Sequence, residues 1–414
     1  MPGEAIINFL IEHQCPQCGA PAILEETDRL FTCKYCRVNS YLMPDDFFRY
    51  VLPHPAAGNK DVVFFPYWRF KGMLFFCGPS GIKNRFVDVS HQAIASPYFP
   101  VSVGLRSQAM KLRFATADTE GRFLRPRQPF KKIADTFEQR FGRSLPKPIL
   151  HQTHIGETLS LIYSPFYVKD KLYDAILDKP VTQTLPEEFD IENFAADQPQ
   201  RHIRFIATLC PKCGWDLEGE RVALVLSCKN CNSSWYPVGK KLKQLKFARI
   251  PGQNDHTVYL PFWRIRPVIS GIDLDSYADL VKIANLPVVI QNNWNKVPFR
   301  FWIPAFKVRP RVFLRTASHI TLSQPHQRLI AELPDTRVHP TTLSVEDAIE
   351  TLMITLADFM KPRSTFLDAL NNIQIDAKSF TLVYLPFNDD HHEFIQPDYH
   401  LAINKNVMAL STNL

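Results

Sequence analysis

The chain has 414 residues, 45% of them hydrophobic and 21% charged, with a formal net charge of +7. That length exceeds what one ordinary core serves, and the balance excludes both a disordered chain and a membrane-embedded one. The charge is mild: it permits contact with nucleic acid or an anionic membrane surface without requiring either. Thirty-three prolines and thirty-one phenylalanines against fifteen glycines favour short, irregular β structure packed through aromatic rings.

The first fourteen residues have no basic leader, and their apolar stretch is broken by Asn8 and Glu12. No run of eighteen apolar residues occurs, so the expectation is a cytoplasmic protein without a membrane span. At residue 15 the chain enters "CPQCGAPAILEETDRLFTCKYC". Here Cys15 and Cys18 are separated by fourteen residues from Cys33 and Cys36. Four thiolates form a soft ligand set, suited to zinc or iron. The two-residue gaps let a tight turn aim both sulfurs at one ion, with proline presetting a dihedral angle and glycine letting the turn close. Cys210, Cys213, Cys228 and Cys231 repeat the spacing. The ninth cysteine, Cys77, is expected to be a small buried hydrophobe.

These eight cysteines resemble the zinc-ribbon family over about residues 13–42 and 208–237. The resemblance implies two closed, tetrahedral, structural Zn2+ sites per chain. Rubredoxins share the Cys-Pro-x-Cys-Gly knuckle, but the second knuckles here are "CKYCR" and "CKNCN", which disfavours redox iron.

An offset of 195 residues relates the two quartets, and it persists without a gap to "VVFFPYWR" (62–69) and "TVYLPFWR" (257–264). A metal knuckle can arise twice; a fixed distance to Pro-x-Trp-Arg points to duplication. Helical patterns follow at 130–142 and at 344–360, where Ser344 is placed to cap. The expected fold is a β-rich α+β protein with a duplicated module. Each half holds a four-cysteine zinc ribbon followed by a β domain with one or two helices. The boundaries read as ribbon 1–45, β domain 46–177, acidic linker 178–200, ribbon 201–240 and β domain 241–414.

Six segments place proline among alternating aromatics, the pattern of a strand with an edge or bulge at the proline. In a strand neighbours face opposite ways, so one residue in each of the pairs Trp68–Arg69 and Trp263–Arg264 is expected outside, as a candidate binding group. The plainer alternative is that these aromatics fill a core. The whole chain loosely resembles bacterial proteins in which a zinc ribbon precedes Tyr-x-Pro-Phe-Trp-like β segments. Such proteins often carry helicase-like names, but no phosphate-binding Gly-x-x-x-x-Gly-Lys loop is present here, nor the membrane helix that some of them have.

Basic residues gather at 122–132, with Arg122, Arg125, Arg127, Lys131 and Lys132, and at 239–249, with Lys240, Lys241, Lys243 and Lys246. Either run is a solvated face, a contact for phosphate or acidic lipid, or a partner for the chain's own acidic linker. "DDHHE" (389–393) and "HQTH" (151–154) are weak metal candidates, and no catalytic motif is found. The expected function is therefore a non-enzymatic zinc-binding scaffold or adaptor that engages protein partners. Nucleic-acid binding through the basic runs is the alternative, and no small-molecule substrate is indicated.

Overall fold

The computed structural model describes residues 10–44, 46–54, 62–116, 119–143, 147–185, 189–197, 203–239, 241–252, 256–361 and 369–411. It is β-rich with a minority of helix. The chain forms two compact units, each built from three segments. Unit 1 takes Met1–Lys71, Asp88–Ser144 and Thr158–Ala207; unit 2 takes Gly72–Val87, Leu145–Glu157 and Thr208–Leu414. The units therefore do not coincide with the sequential halves anticipated from the sequence.

Unit 1 begins with four short strands, β1 (Leu10–Gln14), β2 (Pro21–Glu25), β3 (Leu30–Thr32) and β4 (Asn39–Pro44). β1 and β2 pair antiparallel around the first cysteine pair, and β3 and β4 around the second. Continuing along the chain, with residues 72–87 and 145–157 belonging to unit 2, come β5 (Phe48–Val51), β6 (Val62–Gly78), β7 (Gly81–Gln92), the short α1 (Arg106–Ala109), β8 (Leu112–Phe114) and β9 (Arg122–Leu124). Then follow α2 (Phe130–Gly142), β10 (His151–Val168), β11 (Leu172–Asp174), β12 (Lys179–Pro180), β13 (Ala196–Asp197) and β14 (Ile203–Ala207). β6 lies between β9 and β10, and β5 joins β10 parallel. In β6 every residue but Gly78 is buried, so alternation is absent: a strand covered on both faces reads as one apolar run. α2 matches the sequence reading, with Ile133 and Phe137 turned inward one helical turn apart.

The segment 178–200 has the composition of a linker, yet its described part is folded onto unit 1. β12 pairs with β11 and β13 with β9. The reason is the apolar content inside the acidic stretch: Leu185, Phe189, Ile191 and Phe194 pack against the unit's core, with Phe194 edge-on to Phe99 at 5.9 Å. β14, which precedes the second quartet, pairs along β4 of the first, from Ile203↔Pro44 to Ala207↔Ser40.

Unit 2 holds β15 (Leu226–Cys228), β16 (Ser233–Val238) and β17 (Lys241–Leu245) as a three-stranded sheet. Its larger sheet uses β18 (Phe247–Arg249), β19 (Thr257–Ser270), β20 (Phe301–Pro304), β21 (Gln374–Asp389), β22 (Glu393–Gln396) and β23 (Leu401–Asn404). The order is β20-β19-β21-β22-β23, with β18 parallel to β21. The described residues of the unit also form helices α3 (Tyr277–Ile283), α4 (Pro310–Ser323), α5 (Val345–Glu350), α6 (Leu352–Phe359) and α7 (Lys405–Leu410). Ser344 does cap, accepting from the Asp347 amide at 3.0 Å, but the expected single helix is two. The Thr351 hydroxyl at the junction donates to the Ala348 carbonyl, the local competition that interrupts helices.

The two units repeat one set of backbone bonds. The Pro66 carbonyl accepts from Ala93 N, and Pro261 from Ala305 N. The Ala93 carbonyl in turn accepts from Arg127 N and Gln128 N, and Ala305 from Thr342 N and Leu343 N. The Trp68 indole donates to the Gln128 carbonyl at 2.8 Å, and the Trp263 indole to Leu343 at 3.0 Å. Leu52 N reaches Tyr163 O as Ile250 N reaches Tyr384 O. In both, the tryptophan ties a central strand to the residue two before a helix.

Burial has a pH consequence in unit 2. His339 packs beside Phe306, and burial first, with the nearby Arg337 charge, pulls its pKa down to about 4 against the opposing bond to Pro340 O. The unfolded chain therefore binds more protons between about pH 6.5 and 4, so this contribution to stability is complete above 6.5 and is lost as pH falls through that window. His339→Phe is expected to flatten the acid limb of a urea-midpoint profile by up to about 1.4 kcal/mol per pH unit. An unchanged slope below pH 6.5 would contradict it.

Candidate functional site

Each cysteine quartet sits where two hairpins converge. In the first, Gly19 N donates to Cys15 O at 2.8 Å and Cys15 N to Ala20 O at 2.9 Å; in the second, Gly214 N reaches Cys210 O at 2.8 Å. Gly19 and Gly214 have φ of 71° and 75°, the left-handed region in which glycine meets no Cβ penalty. The closing positions of the other two knuckles, Arg37 and Asn232, are left-handed without being glycine.

The sulfurs approach as a ligand shell would. Cys15–Cys36 and Cys18–Cys33 are both 3.7 Å apart; Cys210–Cys231 is 3.6 Å and Cys213–Cys228 3.5 Å. A tetrahedron with metal–sulfur bonds of about 2.3 Å has edges of about 3.8 Å. A disulfide would need about 2.05 Å. The residues therefore fit a tetrahedral soft metal ion, and among the described residues these two quartets are the groups gathered closely enough to hold one. Burial repeats as well: Cys15, Cys33, Cys210 and Cys228 are buried, Cys18 and Cys213 exposed.

Neighbouring donors favour negative sulfur. The backbone N–H of Cys36 first, then that of Tyr35, draws the Cys33 thiol down to about 6 against the effect of burial. At Cys210 burial opposes, but the amides of Cys213 and Lys212 bring the thiol to about 6. Burial holds the Cys228 thiol up to about 12. Ser233 Oγ lies 3.0 Å from Cys231 Sγ and accepts from the Trp235 indole at 2.9 Å, and Asn230 Nδ2 donates to Cys213 Sγ at 3.5 Å. Such partners orient sulfur ligands. Sequence reasoning missed them, although their places just after the fourth cysteine and just before it are the available signal.

The Pro-x-Trp-Arg residues do not form an outward row. Trp68 is 5% exposed, Trp263 2% and Arg69 0%. Against the expectation from strand alternation, neither member of Trp68–Arg69 faces solvent, because β6 is covered on both sides. Arg69 is neutralised internally. Its Nε and Nη2 bond both oxygens of Asp88 at 2.8 Å, and Nη1 bonds Glu26 Oε1 at 2.7 Å. Lys71 Nζ stands 3.7 Å from Glu26 Oε2. Although burial opposes the charge, the two carboxylates hold the Arg69 pKa above its ordinary value. Arg264 differs: it is half-buried, with its guanidinium 5.6 Å from the centre of the Trp302 ring.

Of the first basic run, Arg125, Arg127 and Lys132 are exposed, while Arg122 pairs with Glu192 of the acidic stretch and donates to Phe194 O at 3.1 Å. Lys131 lies in α2, and its side chain is outside the described residues. Lys240 is also outside them; Lys241 and Lys243 on β17, and Lys246 just after it, are exposed. β17 is an edge strand, where lysine also discourages pairing with other chains.

The "DDHHE" segment turns from β21 into β22, and Asp389 is engaged by Arg337 at 3.5 Å and by Lys405. Among the described residues, His391 and His392 join no ligand group. A pocket of about 430 Å3 opens nearby, lined by Arg315, His319, Glu393, His400 and Asn404 among others. Arg315 donates to Ala402 O at 3.0 Å and His319 bonds Tyr399 O, so both are tied to backbone. Its lining has no serine, threonine, cysteine or lysine, and Glu393, His319 and His400 are its side chains capable of proton transfer. No helix of the described residues is long and apolar enough to cross a membrane. No family model, curated protein or solved structure matches this chain.

Proposed function

We propose that the chain is a non-enzymatic binding protein stapled by two structural zinc ions, descended from a duplicated ribbon-plus-β module and acting in the cytoplasm on protein partners. The observation that carries this reading is the closed ligand shell: four sulfurs per site leave no position for a substrate or an activated water. The repeated tryptophan-to-carbonyl and proline-to-alanine bonds support duplication. Zinc rather than iron is supported by the polar, non-repeating second knuckles.

Nucleic-acid binding is kept as a second reading on one observation, the exposure of Arg125, Arg127 and Lys132 and of Lys241, Lys243 and Lys246. The two part in one experiment. Tagged full-length protein is expected to retain specific proteins from native lysate, with retention surviving nuclease. It is expected to show no retardation of DNA or RNA at low salt. Retardation that falls steeply with salt and is abolished by Lys241→Glu with Lys243→Glu and Lys246→Glu would replace the first reading with the second.

A further inference from the structure

The charge around the two Pro-x-Trp-Arg strands is balanced differently. Asp88, which neutralises Arg69, stands five residues before Ala93, whose amide bonds Pro66. The residue five before Ala305, whose amide bonds Pro261, is Arg300. Glu26, the other partner of Arg69, corresponds through the 195-residue offset to Arg221. Unit 2 thus has arginine at both places where unit 1 has an acid.

The β19–β20 register runs from Phe262↔Pro304 to Ile265↔Phe301, so the next pair along is Arg266 with Arg300. Arg264 is on the same face, two residues from Arg266 and opposite both Trp302 and Thr381. Ser379 lies opposite Arg266, and beyond it the register slips, a bulge that leaves the exposed Lys378 unpaired. Among the described residues no carboxylate lies within 4.0 Å of these three guanidinium groups, and none of them donates a hydrogen bond. The nearest acid in register is Asp376, opposite Val268. Two of the arginines present buried atoms that no solvated face explains: Nε of Arg264 and Nε of Arg300 are removed from water and lack an acceptor. Leaving a charged donor so is costly. Arg266, by contrast, is exposed and opens the cluster to solvent.

We propose that Arg264, Arg266 and Arg300 form a binding site for a phosphate group carried by a small anionic ligand. Guanidinium forks match phosphate and carboxylate alike, but three cations are better balanced by a group bearing nearly two charges than by one. Thr381 and Ser379 stand across from Arg264 and Arg266 with hydroxyls suited to the remaining phosphate oxygens. Burial, then the neighbouring Arg300 charge, already draws the Arg264 pKa down to about 10, the strain that a bound anion would relieve. In unit 1 the Asp88 and Glu26 carboxylates fill this role from within the chain.

The test is calorimetric titration of the full-length protein with pyrophosphate, inorganic phosphate and acetate at constant ionic strength. Saturable binding is expected for pyrophosphate, weaker binding for phosphate and none for acetate. Arg264→Gln and Arg300→Gln are each expected to weaken pyrophosphate about tenfold or more, the loss of one charge-assisted contact. Arg300→Asp, which imports the unit 1 arrangement, should abolish binding and raise the thermal midpoint. Arg266→Glu changes an exposed residue and so keeps the test open if a buried variant misfolds; it too should abolish binding. Absence of saturable pyrophosphate binding by the wild type overturns the proposal, as does binding indifferent to Arg266→Glu.

Discussion

Replacing one cysteine of either quartet is expected to remove one metal ion and unfold the unit that holds it. Metal analysis of the wild type should find two ions per chain; Cys15→Ser or Cys210→Ser should leave one. The two quartets draw together strands that bury little apolar area of their own, each of three to six residues. Ion binding by such sites contributes on the order of 10 kcal/mol, more than the entire net stability of many domains. Chelation at neutral pH should therefore abolish the cooperative transition of the affected unit rather than shift it slightly. Cys77 supplies the control. It is buried outside both quartets, and Cys77→Ala should keep both ions. Two ions retained by Cys15→Ser would refute the assignment of that sulfur. Visible absorbance in the purified protein would identify iron in place of zinc.

Arg69→Met is expected to destabilise the protein by about 3–5 kcal/mol, because it strands two buried carboxylates that the arginine now satisfies. The cost belongs to what remains, so adding Glu26→Gln and Asp88→Asn should recover much of it. Arg264→Met provides the contrast. Among the described residues that side chain has no carboxylate partner, so its removal strands nothing there and should fall within about 1 kcal/mol of the wild type, or stabilise. Urea midpoints of the three variants decide the matter. Equal costs at Arg69 and Arg264 would show that the two environments are not distinct.

The contrast also shows where sequence reading succeeds. The quartets were legible because metal ligation imposes spacing on the chain itself, and α2 because a helix writes its buried face at three- and four-residue intervals. The Trp-Arg strands misled because alternation marks only a half-buried strand, and β6 is enclosed. The partners of Arg69 lie 19 and 43 residues away, and nothing local in "YWRF" distinguishes it from the "FWRI" of Arg264. The 178–200 stretch looked like a tether since its charge and prolines outweighed the apolar residues that the fold puts to use, Val181, Leu185, Phe189, Ile191 and Phe194.

The pairing of β14 with β4 bears on how the protein can be made. A ribosome delivers Asn39–Pro44 some 160 residues before Ile203–Ala207, and during that interval the outer edge of the β3–β4 hairpin lacks its β14 partner. An unpaired edge invites other strands, so the nascent chain has a defined period of exposure that ends only when residue 207 emerges. Expression of residues 1–200 alone would make that exposure permanent, and residues 208–414 alone would lack the 72–87 and 145–157 segments of unit 2. Dissecting this protein into soluble pieces will thus require rejoining distant segments, not cutting once between halves.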